Sequence, residues 1–280
     1  MANKFPSVCV LLLFFFRMSH TIVVIKLPVI GDYIQPLYQP EGSVMIYVTS
    51  DLHGCLEDWK SLLQKIRFSD NDTMFVLGDC VDLGPDPIGL LHDMMERPNV
   101  FPILGNHEWM FARCARTIPP EANMDNLMSF FDDYSIRDLA QWAADGGQHT
   151  LAQFLDLDEE GREAILDYIG EMTLYEETEA DGVSFVLTHS GIEEFDPDQP
   201  LEDYPPSAFL MAHPEPGMEY FPDRTVIVGH RPTYRLKGGT AGKILDDGGI
   251  IYIDCGAAHK EDGGCVGCLR LDDFEEFYID

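Results

Sequence analysis

Short apolar runs alternate with amphipathic stretches in the part of the chain that follows residue 44. Three runs have the length of buried strands: 45–48, 74–77 and 100–104. After each run, apolar residues recur at helical spacing and predict helices at about 56–66, 87–96 and 108–116. This repeated strand–helix order is typical of a largely parallel sheet.

Residues 122–171 have a different pattern, in which aromatic, methionine and aliphatic residues recur at helical intervals. Such spacing predicts a helical insert whose apolar positions form a core. The tripeptide Asp145-Gly146-Gly147 interrupts the pattern. It predicts a turn, with a substrate-facing loop as the alternative.

Strand patterns return after the insert. Segments 173–180 and 183–188 are joined through Asp181-Gly182, which predicts a hairpin. An acidic, proline-containing loop follows over 193–206, and long loops of this kind often border a site. Four further strands are predicted at 225–228, 250–253, 265–271 and 276–279.

The composition is that of a globular protein with a strong negative charge. The chain has 280 residues, 45% of them hydrophobic, and its 49 acidic and 18 basic residues give a formal net charge of -31. Such a charge repels phosphate backbones and argues against nucleic-acid binding. It also attracts divalent cations, and it disfavours highly anionic substrates unless bound metal ions reverse the local potential.

The first 44 residues differ from the rest of the chain. Residues 8–16 are apolar, but the run is too short to span a bilayer and has only one lysine before it. We predict that residues 1–44 are an N-terminal extension, weakly signal-like, with Met45 as the physiological start of a single domain over 45–280.

The cysteines bear on location. Seven cysteines, odd in number and scattered along the chain, argue against a secreted disulfide framework. The expected location is the cytoplasm, without stable membrane insertion. A membrane-anchored or exported protein is the alternative if the 1–44 segment is genuine.

Five short motifs at the ends of apolar runs combine glycine with metal-ligating or imidazole side chains. They are Asp51-Leu52-His53-Gly54, Gly78-Asp79-Cys80-Val81-Asp82, Gly105-Asn106-His107-Glu108, Thr188-His189-Ser190-Gly191 and Gly229-His230. The carboxyl ends of strands are where open α/β sheets collect their binding groups. Glycine permits sharp turns that let the backbone approach an ion closely.

Together the motifs supply the ligands of a dinuclear metal site. The candidate ligands are Asp51, His53, Asp79, Asn106, His189 and His230, with Asp79 able to bridge two ions. Two divalent ions about 3.5–4 Å apart clamp a phosphoryl group and convert a bridging water into hydroxide at neutral pH. Nitrogen and oxygen donors without thiolate suit manganese, iron or zinc rather than calcium. We expect two divalent ions, manganese first, with iron or zinc as alternatives.

One histidine of the motifs is not needed as a ligand. His107 follows Asn106, and a free imidazole beside a dinuclear centre can act as the general acid for the leaving alkoxide. Asp82, three residues after Asp79, is placed to bond the other ring nitrogen and keep the imidazole protonated.

The order and separation of these motifs resemble the phosphoprotein phosphatase branch of the calcineurin-like metallophosphoesterases over residues 45–280. Bacterial members of that branch are described as serine/threonine phosphatases or symmetrical dinucleoside-tetraphosphatases. The resemblance implies an α/β (α+β) fold, a four-layer sandwich of two mixed sheets flanked by helices, with a helical insert at 122–171. It also implies Asp51, His53 and Asp79 at the first metal, Asp79, Asn106, His189 and His230 at the second, and Asp82 with His107 as the acid pair.

Two positions depart from the family pattern. Leu83 follows Asp82 where the family has arginine, and His213 stands near the place of a second phosphate-binding arginine. Arginine binds phosphate through two hydrogen bonds, and losing one such pair removes about 1.5–3 kcal/mol of binding. The candidate substrate-binding residues that would compensate are Arg231, Lys260 and His213 itself.

The sequence therefore predicts a dinuclear-metal phosphoester hydrolase. The main interpretation is a phosphomonoesterase of the serine/threonine phosphatase type, which uses a metal-bridging hydroxide and a histidine general acid. One alternative is symmetrical hydrolysis of dinucleoside tetraphosphates, and another is a metal-binding scaffold whose catalysis is weakened by Leu83 and His213. The expected partners are a phosphorylated protein or a small phosphoester, and the oligomeric state is left open.

Overall fold

The computed structural model describes residues 44–132 and 135–280, together with a short antiparallel strand pair, Arg17–Met18 with Thr21–Ile22. The N-terminal extension that we predict over 1–44 lies outside the described residues, apart from that pair and Val44. Residues 42–280 belong to one compact unit.

Ten strands lie in the described residues that follow residue 44. They are β1 Ile46–Thr49, β2 Thr73–Val76, β3 Val100–Pro102, β4 Tyr175–Ala180, β5 Val183–Thr188, β6 Thr225–Val228, β7 Leu245–Asp246, β8 Ile250–Tyr252, β9 Val266–Arg270 and β10 Glu276–Ile279. The α-helices are α1 Leu56–Ile66, α2 Pro87–Met95, α3 Asn106–Ala115, α4 Ser135–Trp142, α5 Gln148–Asp156, α6 Glu159–Gly170 and α7 Ser207–Leu210.

Two five-stranded sheets are formed, with strand orders β10-β9-β1-β2-β3 and β4-β5-β6-β8-β7. In the first sheet β1, β2 and β3 are parallel, as their strand–helix order predicts. The sheet as a whole is mixed, because β9 pairs antiparallel with β1 and β10 pairs antiparallel with β9. In the second sheet β5, β6 and β8 are parallel, and β4 and β7 run antiparallel at the two edges.

The two sheets face each other across a buried apolar layer. Side chains from both sheets form it, among them Val48, Phe75, Leu187, Ile227 and Ile251. Alternate residues of β1 and β2 point to the other face, where they pack with the helices in the largest apolar cluster. The outer face of the second sheet packs against the 193–210 region. The predicted four-layer sandwich of two mixed sheets flanked by helices is confirmed.

The helix predictions hold with small shifts at the ends. Helix α1 has the predicted bounds, α2 ends at Met95, and α3 begins at Asn106, two residues earlier than its apolar spacing suggests. The insert contains α4, α5, α6 and a short 3-10 helix, Leu127–Phe130. The Asp145-Gly146-Gly147 break falls in a π-helical turn, Ala143–Gly147, with Gly146 at φ 104°. Among the helices that the structure describes, none has the length and apolarity required to cross a membrane.

Candidate metal centre

The five predicted motifs meet at one place, where loops from the carboxyl ends of both sheets come together. The loop after β1 is hydrogen-bonded to the loop after β2, since the N–H groups of Asp51 and His53 donate to the carbonyls of Gly78 and Asp79 at 3.1 and 2.8 Å. In the second sheet, the N–H of Gly229 donates to the carbonyl of His189 at 2.8 Å. Main-chain hydrogen bonds therefore fix neighbouring loops of the same sheet relative to one another.

The backbone of these loops is strained. Ten non-glycine residues in the described part of the chain have positive φ, and six of them lie in these loops: Asp51, His53, Asp79, Asp82, Leu83 and His230. Such conformations cost free energy and persist only where the surrounding structure holds them. Their concentration here marks the loops as the functional region.

Imidazole nitrogens converge on the carboxylate of Asp79. The Nε2 atoms of His53, His107 and His189 lie 3.9, 3.9 and 3.5 Å from Asp79 Oδ2. One ligand atom from each of Asp79, His189 and His230 falls within 4.8 Å of the others, as does one from each of Asp79, His53 and His107. Two groups of donors thus share one carboxylate.

Main-chain carbonyls set the tautomers of two of these rings. The Nδ1 of His53 lies 2.8 Å from the carbonyl of Val81, and the Nδ1 of His189 lies 2.7 Å from the carbonyl of Leu77. A carbonyl only accepts, so each Nδ1 carries the hydrogen and each Nε2 presents a lone pair to Asp79. This arrangement orients an imidazole as a metal ligand.

Acceptor atoms also face one another on the second-sheet side. His189 Nε2 lies 2.8 Å from Asn106 Oδ1 and 3.1 Å from His230 Nδ1. In this tautomer neither His189 Nε2 nor the amide oxygen of Asn106 carries a hydrogen, so the two atoms cannot hydrogen-bond to each other. Two acceptors held this close are a suitable pair of ligands for a cation. Burial lowers the pKa of His53 to about 4 and that of His230 to about 3. Both rings are therefore neutral donors at pH 7.

Three buried carboxyl groups belong to the centre. Asp51, Asp79 and Asp254 are 2%, 2% and 3% exposed. Burial and the neighbouring Asp254 and Asp79 carboxylates raise the pKa of Asp51 well above its usual value. Burial likewise raises the pKa of Asp254 to about 7, whereas at Asp79 the surrounding imidazoles outweigh burial and hold the pKa low. Three such carboxylates beside neutral imidazoles are the donor set of divalent cations, so the residues present fit a metal centre.

Asp51 has a different position from the other candidate ligands. It belongs to neither group of converging donors. Its two carboxylate oxygens accept the main-chain N–H of His230 at 3.1 and 3.0 Å, and Ser50 Oγ donates to one of them. The carboxylate of Asp51 thus joins a loop of the first sheet to a loop of the second.

The predicted acid pair is in contact. His107 Nδ1 lies 2.8 Å from Asp82 Oδ2, and Asp82 is fully buried. The insert supplies two further donors to this carboxylate, since Trp142 Nε1 and Thr150 Oγ1 lie 2.8 and 2.6 Å from its two oxygens. Burial opposes protonation of His107, but the carboxylates of Asp79 and Asp82 outweigh it and raise the pKa of His107 to about 9.

Glu108 holds the loop that carries Asp79. Its carboxylate accepts four main-chain N–H groups, from Asp79, Cys80, Val81 and Gly105, at distances of 2.7 to 3.0 Å. The bond from Gly105, the N-cap residue of α3, satisfies a main-chain N–H at the start of the helix. Glu108 is part of one of the five motifs, but its role in holding this loop was not predicted from the sequence.

A cavity of about 740 Å³ opens onto the centre. Its lining includes His53, Asp79, Asn106, His107 and His230. It also includes two residues that the sequence reasoning missed, Asp254 and Arg235. Asp254 follows an apolar strand and precedes Cys255-Gly256, so the pattern of the five motifs, a ligand at a strand end close to a glycine, could have found it. No pattern distinguishes Arg235.

The three predicted substrate-binding residues lie outside that lining. Arg231 is paired with Glu215 at 2.8 Å, and Lys260 is paired with Asp58 at 2.7 Å, so both cations are already engaged. His213 lies with its ring 5.2 Å from the ring of His230, beside the centre.

The sequence matches a known protein family and, over part of its length, several curated proteins. A family model described as calcineurin-like phosphoesterase matches residues 44–256. A symmetrical bis(5'-nucleosyl)-tetraphosphatase of Wigglesworthia glossinidia brevipalpis is 31% identical over 98 residues, 34% of this chain and 36% of that protein. One of Buchnera aphidicola (strain Tuc7) is 28% identical over 128 residues, 44% of this chain and 43% of that protein. The chain thus aligns with less than half the length of these relatives.

Two solved structures share the fold. One, reported as "a putative diadenosine tetraphosphatase", has a TM-score of 0.57 at 17% identity and covers 86% of this chain and 95% of its own. The other, a protein serine/threonine phosphatase from Saccharomyces cerevisiae, has a TM-score of 0.55 at 16% identity and covers 83% of this chain and 74% of its own. At such identities the likeness shows the fold alone.

Proposed function

Because the chain belongs to the calcineurin-like phosphoesterase family, we propose that it is a phosphohydrolase in which Asp79 is shared by two divalent cations. The observation that carries this proposal is the convergence of two donor groups on that single carboxylate. When bound, two divalent ions neutralise charge on a phosphoryl group and lower the pKa of a water molecule so that it is a nucleophile at neutral pH.

The ligands we propose follow the five motifs, and the positions of the donor atoms support all of them except Asp51, whose carboxylate accepts the main-chain N–H of His230. Asp51, His53 and Asp79 would hold the first ion, and Asp79, Asn106, His189 and His230 the second. The lone pairs of His53 and His189 at Nε2, fixed by carbonyls on Nδ1, support these assignments. Manganese is our first choice, with iron or zinc as alternatives, because all these donors are nitrogen or oxygen.

His107 is proposed as the general acid. The carboxylate on Nδ1 holds the ring in place, and the ring lines the cavity that opens onto the proposed ligands. In this position Nε2 can give a proton to the oxygen of a departing group, while Asp82 stabilises the imidazolium. Asp82 acts through His107 and is therefore a positioning residue, held by Trp142 and Thr150.

Arg235 is proposed as the residue that binds the phosphate. Among the described residues that line the cavity, it carries the permanent positive charge, and its guanidinium forms no ion pair within 4.0 Å. The loop of the 3-10 helix Thr233–Arg235 carries it there, close in sequence to His230. A guanidinium binds phosphate oxygens in pairs, so Arg235 supplies the interaction that Leu83 lacks.

The substrate we place first is a symmetrical dinucleoside tetraphosphate. The relatives with this activity in their names support it. A phosphomonoester is the second candidate, because a single arginine in the described lining and a net charge of -31 favour a substrate with little charge.

Within the same proposal we place the protein in the cytoplasm, since its described cysteines are free and buried.

A metal-loaded substrate panel tests the proposal. The purified chain is freed of metal, reloaded with Mn²⁺, and assayed on diadenosine tetraphosphate, a phosphoserine peptide and p-nitrophenyl phosphate. We expect metal-dependent release of ADP from the first substrate or of inorganic phosphate from the others, and loss of activity in Asp79→Asn. If two ions bind and no substrate turns over, the metal-binding scaffold is the better interpretation.

A further inference from the structure

Large apolar side chains form part of the cavity lining. Five residues form what we call the apolar wall: Leu83, Trp109, Met110, Leu210 and Met211. Leu83, Trp109 and Met211 are 40%, 42% and 51% exposed. Large apolar side chains left exposed together in a cavity are typical of a surface that a ligand covers.

The apolar wall adjoins the acid pair. Leu83 directly follows Asp82, and its N–H donates to the carbonyl of Gly146 at 3.1 Å, which fixes its position. Trp109 lies in the first turn of α3, two residues after His107 and three after Asn106. The same short segments that carry the acid pair thus also carry Leu83 and Trp109, two of the three exposed side chains of the apolar wall.

This adjacency identifies the part of the substrate that the apolar wall contacts. A general acid lies beside the oxygen of the group that leaves, so the leaving group extends away from His107. Leu83 and Trp109 line the same cavity as His107, and each lies within two residues of a member of the acid pair. The leaving group, rather than the phosphoryl group that is transferred, is therefore the part that reaches the apolar wall.

We propose that the site selects phosphate compounds whose leaving group carries a planar, uncharged ring, which packs on the apolar wall at Trp109. The inference rests on the proposed phosphohydrolase function and names the substrate class of that site. Tryptophan and methionine side chains both contact planar rings favourably. The cavity of about 740 Å³ has room for a ring in addition to a phosphate. The ring of a nucleoside and that of a simple aromatic alcohol both meet this description.

A matched pair of substrates tests the inference. Benzyl phosphate and ethyl phosphate release primary alcohols of similar acidity, so the ratio of their kcat/KM values reports recognition of the ring rather than leaving-group chemistry. We expect benzyl phosphate to be favoured about tenfold, and the ratio to fall towards one in Trp109→Ala. Phe101→Ala is the control, because Phe101 is an aromatic residue of similar exposure, 45%, that does not line the cavity. If only dinucleoside tetraphosphates are hydrolysed, the ratio of inhibition constants of the two phosphates replaces the kcat/KM ratio.

Fluorescence gives a readout that does not require turnover. The chain has three tryptophans, of which Trp59 and Trp142 are 0% and 1% exposed and Trp109 is 42% exposed. We expect 4-nitrobenzyl phosphate, a contact quencher, to quench the parent protein saturably and Trp109→Phe much less.

The outcomes separate the two proposals. A ratio near one in the parent protein, or equal quenching in the parent and Trp109→Phe, overturns the ring inference and leaves the phosphohydrolase proposal standing. Absence of hydrolysis of every phosphate by the metal-loaded protein overturns the phosphohydrolase proposal instead. In that case quenching that depends on Trp109 would still support a site for a ring-bearing phosphate.

Discussion

The histidine side chains of the centre differ in the group that their Nδ1 atom contacts. His53 and His189 bond main-chain carbonyls through Nδ1, whereas His107 bonds the carboxylate of Asp82. A carbonyl leaves the ring neutral, and a carboxylate favours the imidazolium. The rings of one centre thus divide into proposed metal ligands and a proposed proton donor.

His107→Asn should separate these roles. We expect kcat on an alkyl phosphate to fall by about 10²–10⁴-fold, because the leaving alkoxide then departs without a proton. Hydrolysis of p-nitrophenyl phosphate should fall much less, since nitrophenolate is a stable anion. Both rates are measured at saturating Mn²⁺ with His92→Asn, an exposed histidine of α2, as the control. An equal loss on both substrates would assign His107 to the metals instead.

Arg235→Ala should weaken phosphate binding. We expect the KM of a phosphoester, and the inhibition constant of inorganic phosphate, to rise about tenfold, since one charge-assisted pair is lost. Lys237→Ala is the matched control, because Lys237 is an exposed cation two residues away that does not line the cavity. Equal effects of the two changes would mean that only the long-range potential of the loop matters.

The candidate ligands could be proposed at this scale because each of them follows an apolar run and lies within three residues of a glycine. Arg235 was not, since its placement depends on how the loop after β6 folds back over the centre. The compensating cations that the sequence suggested, Arg231 and Lys260, are engaged by Glu215 and Asp58, and those pairings join residues 16 and 202 positions apart.

At the scale of elements, helix ends depend on capping rather than on periodicity. The apolar pattern of α3 suggested a start at Glu108, but the helix begins at Asn106, because the Glu108 carboxylate accepts the main-chain N–H of the N-cap residue Gly105. The two additional residues place Asn106 and His107 in the first turn. In the insert, periodicity correctly predicts that Trp142 is a core residue. It does not predict that the Trp142 side chain also donates a hydrogen bond to Asp82.

Gly146→Ala should disturb the π-helical turn of the insert. Gly146 has φ 104°, and a Cβ there would collide with the side chain of Leu83. We expect a loss of about 1–3 kcal/mol in the free energy of unfolding, measured by urea denaturation. Gly238→Ala is the control, because Gly238 also has positive φ, 89°, but no neighbouring atom within 4 Å. A larger loss in Gly146→Ala isolates the contact with Leu83, and equal losses would show that backbone strain alone accounts for the effect.

At the scale of the molecule, the proposed ligands come from loops of both sheets. Divalent cations should therefore stabilise the whole unit by binding the folded state alone. We expect saturating Mn²⁺ to raise the Tm and EDTA to lower it, with about 2.7 kcal/mol of unfolding free energy gained per bound ion at a free concentration 100 times the Kd. The shift should be absent in Asp79→Asn. An unchanged shift in that variant would mean that the cations act on the acidic surface instead.

The two-sheet architecture was predictable only through the resemblance to a family. Local patterns predict β1, β2 and β3 as parallel neighbours, but they do not show that β9 pairs with β1, because that pairing joins Cys268 with Thr49. Strand β7, with two residues, is too short to produce a periodic signal, and it was missed.

Glu108 bears on how the protein acquires its metal. Four main-chain N–H groups are held by this one carboxylate, so the loop that presents Asp79 is shaped by the protein and not by an ion. Metal exchange should therefore proceed without unfolding. The cation found in the purified protein would then record the metal supply of the cell that produced it, and one folded preparation could be compared across a series of metals.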